Sequence, residues 1–459
     1  TDIYSILDKE IFRHTAEHVW EVPELIRKCI SPEFSVKTAA GDEDGEILSM
    51  LRRTEDGYIL FLTNHDRNNS HEVYVHLSCG TRVEELDPMT GNTETVKTCV
   101  SKTGIVFARY FETGMSRIYF IKEGEPEKTD RISFPYRHPH YTDPVLATLG
   151  PDAEFRRTMR NVLTIDRCTY KLNNSQESDE MEIWKAQKEI REKLHMQQVY
   201  YNGAPQRYTW INKDNPNDGT LFSICFRLEI QEDITGDNYF VIEKPYGLKV
   251  FFDDEKCERT EEWFVDKEMI LFRLPKLIKG EHEITVSGLY DQKRELEDVF
   301  IIGDFAVDLS GKIFKEKDWL HTGDWCMQGY ANYPGSIIYQ YKVPRLMSDN
   351  RIQLHIGEWS GTLLKVRING SDVGLHMEKK NCVTEVRGCF DEEENLLELE
   401  IVGSPRNMFG PFHQAYTGCS RISWADFRTE GRFHTAGKVL KPYGIFEQSY
   451  ICEYKEEQI

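Results

Sequence analysis

The chain is read as mainly β, with tandem β-sandwich modules and a few short helices. Three observations point there: a strand-turn-strand pattern that occurs twice, closely spaced short alternating strands, and high aromatic content. The first copy runs Gly247 to Asp254 (GLKVFFDD), then Gly280 to Gly288 (GEHEITVSG); the second runs Leu363 to Gly370 (LLKVRING), then Glu394 to Val402 (ENLLELEIV). Alternation of apolar and polar residues marks a strand with one buried face, and Asn-Gly is a strong short hairpin signal. The 24 Phe, 22 Tyr and 8 Trp among 459 residues suit β-rich cores.

Length at ~150 residues per domain gives about three domains. Residues 1–44 read as a helical remnant, in which Pro23 opens a short helix over 24–30 with Leu25, Ile26, Cys29 and Ile30 on one side. So short a segment cannot build a core of its own. Residues 45–125 read as a sandwich with strands at 47–53, 58–63, 72–77, 82–86, 105–111 and 116–121, separated by turns such as Glu55-Asp56-Gly57. Residues 126–154 are rich in Pro and charge and read as a linker. Residues 155–312 read as a second sandwich with a helical insertion near 181–200, where Ile183, Trp184, Ile190, Leu194 and Val199 recur at helical spacing. Residues 313–459 form a third module that closes in Gly- and aromatic-rich loops.

A formal charge of −20 excludes a nucleic-acid partner and docking on anionic lipid, both of which need clustered Lys and Arg. Eleven Cys, an odd number without CxxC pairs, favour reduced thiols and a cytoplasmic location. No run approaches the ~20 apolar residues of a membrane span. The start at Thr1, without a basic or apolar leader, suggests a processed chain or a piece of a longer one.

The sequence contains no GxGxxG, P-loop, GxSxG or HExxH motif. Gly357-Glu-Trp-Ser-Gly361 places its Ser one position late for a nucleophile elbow. His14 and His18 have metal-ligand spacing but lack the adjacent Glu and a third ligand, which favours a surface role. His138, His140 and Asp143 make a better metal candidate, weighed against an ordinary loop. Glycoside hydrolysis needs two carboxylates ~5–9 Å apart, and sequence cannot pick such a pair from 77 acidic residues.

Sugar recognition combines aromatic faces with planar polar side chains. Three clusters have that composition: Trp325, Tyr330 and Tyr333 alternating with Asp324, Gln328 and Asn332; Glu358 with Trp359; and Arg406, Asn407, Phe412 and His413 in a turn-rich stretch. The alternative for each is that its rings pin long loops onto the sandwich.

The stretches Gly57 to Asn64 (GYILFLTN), Glu84 to Gly91 (EELDPMTG), Leu364 to Gly370 (LKVRING) with Val373-Gly374, and Arg406 to His413 (RNMFGPFH) carry a family likeness. Together they resemble the C-terminal half of large bacterial glycoside hydrolases, the α-L-rhamnosidase-like enzymes of family 106. Residues 320–450 resemble the galactose-binding-like, sugar-binding jelly roll of family 2 hydrolases. The resemblance implies jelly-roll folds for the second and third modules, a carbohydrate partner that includes rhamnose-containing glycans, and a preceding catalytic domain. In that family the catalytic carboxylates sit on a (β/α)8 barrel of ~250 residues, and about 45 residues precede the first sandwich here. No catalytic residue therefore carries over, and the implied role is an accessory region, with Arg406 to His413 as the loop that reaches toward a neighbouring active site. A structural calcium ion is a further implication of the jelly-roll likeness. The alternatives are a purely structural fragment, in which Trp325 and Trp359 are buried, and a complete glycosidase with convergent carboxylates of perturbed pKa.

Overall fold

In a computed structural model the described residues are 18, 21, 22, 26, 31–66, 68–88, 91–129, 144–199, 208–377, 379, 382–415, 422, 426, 427 and 430–454. They are mainly β, and the chain divides into two compact units, 1–142 and 143–459.

In the first unit the alternating strands pair as two antiparallel sheets. Phe34–Lys37, His71–Leu77, Gly104–Phe111 and Cys99–Ser101 form one; Ile47–Thr54, Gly57–Asn64, Ser116–Lys122, Arg82–Leu86 and Thr93–Thr95 form the other. Leu60, Leu62, Val73, Val75, Phe107, Tyr119 and Ile121 are buried in one core, as their period-2 placement requires. All six strands read from the sequence are present to within a residue or so of their ends. The helix expected over 24–30 lies largely outside the described residues.

The second unit contains two β-modules. In the first, Thr220–Ile230 pairs with Gly280–Tyr290 along its full length, flanked by Arg167–Leu172 and Lys249–Phe252. The other sheet runs Asn161–Ile165, Val299–Gly303, Tyr239–Glu243, Asp266–Arg273 and Glu258–Phe264. Helix α1 (Ile183–Lys193) buries Ile183, Ala186, Gln187, Ile190 and Arg191, an i, i+3, i+4, i+7, i+8 stripe. It is shorter than the 181–200 segment expected, ending where His195 turns to a φ of 52°.

The second module orders its strands Trp319–His321, Asp152–Arg157, Ser336–Pro344, Glu394–Val402, Leu363–Ile368 and Ser371–His376 in one sheet. Val145–Thr148, Tyr450–Tyr454, Arg351–Ile356 and Cys382–Glu385 form another. Residues 145–157 therefore correct the expected linker, whose end was placed at 154. Both segments are strands of this module, so the chain starts it, leaves to build the first, and returns. Ala153 and Phe155 supply the alternation and pack in its core, obscured in sequence by the Pro and charge around them.

Both repeated hairpins have the same turn. Ile368 pairs with Ser371 around Asn369 (φ 49°) and Gly370 (φ 80°), and Phe252 pairs with Glu255 around Asp253 (φ 47°) and Asp254 (φ 67°). Two positive φ values in a two-residue loop make a type I′ turn, whose twist matches that of the flanking strands.

Candidate functional site

Two of the three aromatic clusters are core. Trp325, Tyr330, Tyr333 and Trp359 are at most 1% exposed, which corrects their expected use as stacking platforms. Trp325 stacks on Tyr443 at 5.3 Å and meets Tyr333 edge-on. Trp359 donates Nε1–H to Cys382 Sγ, and the Lys379 ammonium sits 3.6 Å from its ring centroid. The interleaved polar groups are also spent inside. Asp324 accepts from Cys326 N and Tyr443 N, Gln328 spans the backbone of His321, and Asn332 donates to Asn407 O while accepting from Thr164 N. Tyr330 donates to Glu316, and Tyr333 Oη accepts from Thr158 N and Met159 N. Half-buried Glu358 accepts from Phe446 N through its backbone carbonyl.

The third cluster divides. Asn407 closes a pair of hydrogen bonds with the Lys441 backbone, and Arg406 is half-buried with Nε and Nη1 unpartnered among the described residues. Phe412 and His413 reach a pocket between the two modules of the second unit. It is lined by Asp166, Glu182, Trp184, Asp298, Phe409, Pro411, Phe412, His413 and Phe427. Asp166 follows the strand Asn161–Ile165, Glu182 precedes α1 and Asp298 precedes Val299–Gly303. Three acids far apart in sequence thus converge, with no local motif to announce them.

The charges there are ordered. His413 Nε2 lies 2.6 Å from Asp166 Oδ2, and its Nδ1 lies 2.9 Å from Thr435 O. A carbonyl on one side and a carboxylate on the other both require N–H, so the ring is an imidazolium. Its hydrogen bond to Asp166 raises the pKa of His413 against the opposing effect of burial. Lys438 Nζ completes the clasp, 3.1 Å from Asp166 Oδ1 and 2.9 Å from Thr164 O. Burial would push the Asp166 carboxyl up, but His413 and Lys438 outweigh it and hold it down to about 2. Glu182 takes His434 Nε2 at 3.0 Å and Lys185 Nζ at 3.2 Å. Among the described residues Asp298 has no such partner: its Oδ1 is buried and unbonded there, and burial followed by the charge of Asp166 raises its pKa to about 7.

Carboxylates with pKa values pushed apart are the signature of an acid–base pair. The pocket volume is about 30 Å³, room for one or two waters and not for a pyranose ring. Both Asp166 oxygens are also already engaged.

Among the described residues no group of three or more His, Cys, Asp or Glu side chains is placed to hold a metal ion. His14, His138, His140 and Asp143 lie outside those residues, and the expected calcium has no side-chain cage among them. The nine described cysteines are free thiols, and no described helix is long and apolar enough to cross a membrane.

No family model matches this sequence, and no curated protein matches it. Among solved structures it is similar to a rhamnosidase from Novosphingobium sp. PP1Y, at 13% identity and TM-score 0.40 over 94% of this chain and 26% of that one. It is also similar to a β-D-mannosidase from Dictyoglomus thermophilum (9% identity, TM-score 0.20, 62% of this chain and 36% of that one). A third is a GH2 β-galacturonidase from Eisenbergiella tayi (12% identity, TM-score 0.19, 54% and 38%). The chain spans about a quarter of the length of that rhamnosidase.

Proposed function

We propose that this chain is a non-catalytic β-region of an α-L-rhamnosidase-like glycoside hydrolase, bracing the catalytic domain and contacting carbohydrate through the 406–413 loop. The sequence stretches that resemble family 106 motivate the parent enzyme. The observation that carries the carbohydrate contact is the pocket at His413, where Asp298 has a carboxyl oxygen unbonded among the described residues, beside aromatic walls. A single sugar hydroxyl matches its volume, the rest of the ring lying outside against Trp184 and Phe427. The bracing role is supported by the way aromatic rings and polar groups elsewhere are consumed by packing.

The test is titration of the purified chain with rhamnose-bearing oligosaccharides, followed by NMR. Selective shifts that Asp298→Ala and Phe412→Ala abolish, while Trp263→Ala on the exposed surface leaves them, support the reading. No shift at millimolar ligand sinks the carbohydrate contact and leaves the purely structural reading. A complete glycosidase is the second reading, motivated by the opposed pKa values of Asp166 and Asp298. It predicts aryl-glycoside turnover that Asp298→Asn removes, and the pocket volume predicts none.

A further inference from the structure

In the first unit, the strand Ile47–Thr54 forms one edge of its sheet and is bonded on one side only, to Gly57–Asn64. Its eight residues pair without a break in register, and among the described residues no other hydrogen bond reaches them. A long flat edge with a free row of backbone N–H and C=O groups is a template for another strand, and natural sheets blunt such edges. Several other edges of this chain are blunted. Thr93–Thr95, Cys99–Ser101 and Trp319–His321 are three residues long, and register shifts interrupt the pairing of Glu258–Phe264 twice. Ile47–Thr54 has no Pro, no Lys and no bulge.

The side chains along this edge are apolar on both faces. Leu48 and Met50 point outward and are 49% and 47% exposed, while Ile47 and Leu51 turn toward the core. Glu46 extends the ladder by one residue, its carbonyl accepting from His65 N. The Glu46 carboxylate has exposed His65 at 3.9 Å, and exposed Arg52 has no ion pair among the described residues.

We propose that this edge pairs with the same edge of a second copy of the chain, antiparallel and centred on Ser49, making one continuous sheet across a two-fold axis. The register follows from the sequence. In antiparallel pairing, opposed residues share a face, so centring on Ser49 sets Leu48 against Met50, Ile47 against Leu51 and Glu46 against Arg52, each with its counterpart in the second copy. Moving the centre one residue either way loses the match. At Met50, Leu48 meets Arg52 and Ile47 meets Arg53; at Leu48, Glu46 meets Met50.

A cleft of about 300 Å³ beside the edge fits the same register. Its walls include Pro32, Phe34, Val36 and Ile47, with Glu43 and Asp44 also lining it, and Asp44 is committed to His71 at 2.8 Å. Leu51 of the second copy, opposite Ile47 on the core-facing side, comes next to the apolar part of this cleft. The pairing involves the first unit alone and stands whether or not the pocket at His413 takes a sugar.

The experiment is analytical ultracentrifugation of the wild-type chain over roughly 1–100 µM, the range suited to a small transient interface. A monomer–dimer equilibrium is expected. Met50→Lys changes a half-exposed side chain and places an ammonium opposite Leu48, so it should leave the melting temperature of the dilute chain unchanged and weaken the dimer at least tenfold, ~1.4 kcal/mol. Ser49→Cys reads the register directly. Opposed Cα atoms lie ~4.5–5.5 Å apart, within disulfide reach, so mild oxidation should link this variant into dimers beyond the level of wild type. Thr54→Cys, away from the axis, should not link. A monomer throughout the range would overturn the proposal and leave the edge to a strand from a different protein. A dimer that Met50→Lys leaves intact, or equal linking of Ser49→Cys and Thr54→Cys, would overturn it as well.

Discussion

The two hairpins of the second unit are built to one plan with different chemistry. In each, the first turn residue donates its backbone N–H to the neighbouring strand and accepts that strand's N–H on its side chain: Asp253 with Glu283, Asn369 with Leu396. Each side chain also reaches a neighbouring side chain, Asp253 Oδ2 to His282 Nδ1 at 2.6 Å and Asn369 Nδ2 to Asn395 Oδ1 at 2.8 Å, and Asn369 Nδ2 lies 3.5 Å from the Cys389 carbonyl as well. The second residue is Asp254 in one and Gly370 in the other. Shared backbone geometry with unlike side chains means that geometry is what the repeat specifies. The differences lie in charge and in the cores beneath.

The largest expected effect separates those cores. The module carrying Asn369 packs Trp325, Trp359, Tyr330 and Tyr333, whereas the main core of the other has Tyr170 and Tyr290 among Phe, Ile, Val and Leu and no Trp among the described residues. Trp359→Ala should destabilise by ~3–5 kcal/mol, the range for a buried aromatic truncated to Ala. Urea unfolding monitored by near-UV circular dichroism measures it. An unchanged midpoint would return Trp359 to the surface and revive its role as a sugar platform.

Next comes a pH contrast within the pocket at His413. Asp298 has a folded pKa of about 7, above the ordinary aspartate value of 3.8, so the native state holds the extra proton between those values. Stability from this group therefore falls as pH rises from about 4 to 7, by up to ~1.4 kcal/mol per pH unit. Asp166, held at about 2, works in the other direction: its contribution is present above pH 4 and is lost as pH falls toward 2. Asp298→Asn should flatten the upper window and stabilise the chain at pH 8. A variant with the same pH slope as wild type would show that Asp298 ionises normally.

The glycine test is smaller. Gly370 has φ +80° and open space where a Cβ would be, so Gly370→Val meets backbone strain and no clash. A β-branched residue there should cost ~1–2 kcal/mol. Asp254→Gly, at φ 67°, should be neutral or gain a few tenths of a kcal/mol. Equal losses in both would mean that the two turns are not equivalent. Glycan binding reduced by Gly370→Val at unchanged melting temperature would place that hairpin in a ligand site.

These contrasts also mark what could be read from the sequence. Local patterns survive: the strands of 47–122, the Asn369-Gly370 turn and the apolar stripe of α1 depend on neighbours a few residues away. The fate of Trp325 and Trp359 does not. An aromatic-rich loop with interleaved Asp, Gln and Asn has the same composition whether it binds a sugar or satisfies its own polar groups inward. Asp166, Glu182 and Asp298 had no signal at all, because their meeting depends on how two sheets and α1 are assembled. Phe412 and His413 were visible only through the 406–413 motif. The strands at 145–157 were masked because each is short and one pairs with residues about 300 positions away.

The finest distinction between the hairpins is an exchange of their first turn residues. Asp253→Asn keeps the oxygen that accepts from Glu283 N and offers an amide N–H toward His282 Nδ1. Because His282 Nε2 faces the Ile278 carbonyl and must carry hydrogen, a neutral ring presents an Nδ1 lone pair to that amide. The exchange should be nearly neutral. Asn369→Asp is different. Asn395 cannot turn its amide to help, since its Oδ1 accepts from Glu392 N and its Nδ2 donates to the carbonyls of Val343 and Glu392. A carboxylate oxygen would face Asn395 Oδ1, leaving acceptor against acceptor at a cost of ~1 kcal/mol. Thermal melts of the two variants at pH 7 measure the difference. A loss in Asp253→Asn as large as that in Asn369→Asp would mean that the His282 contact depends on a full charge, and that the two hairpins are fixed by different forces.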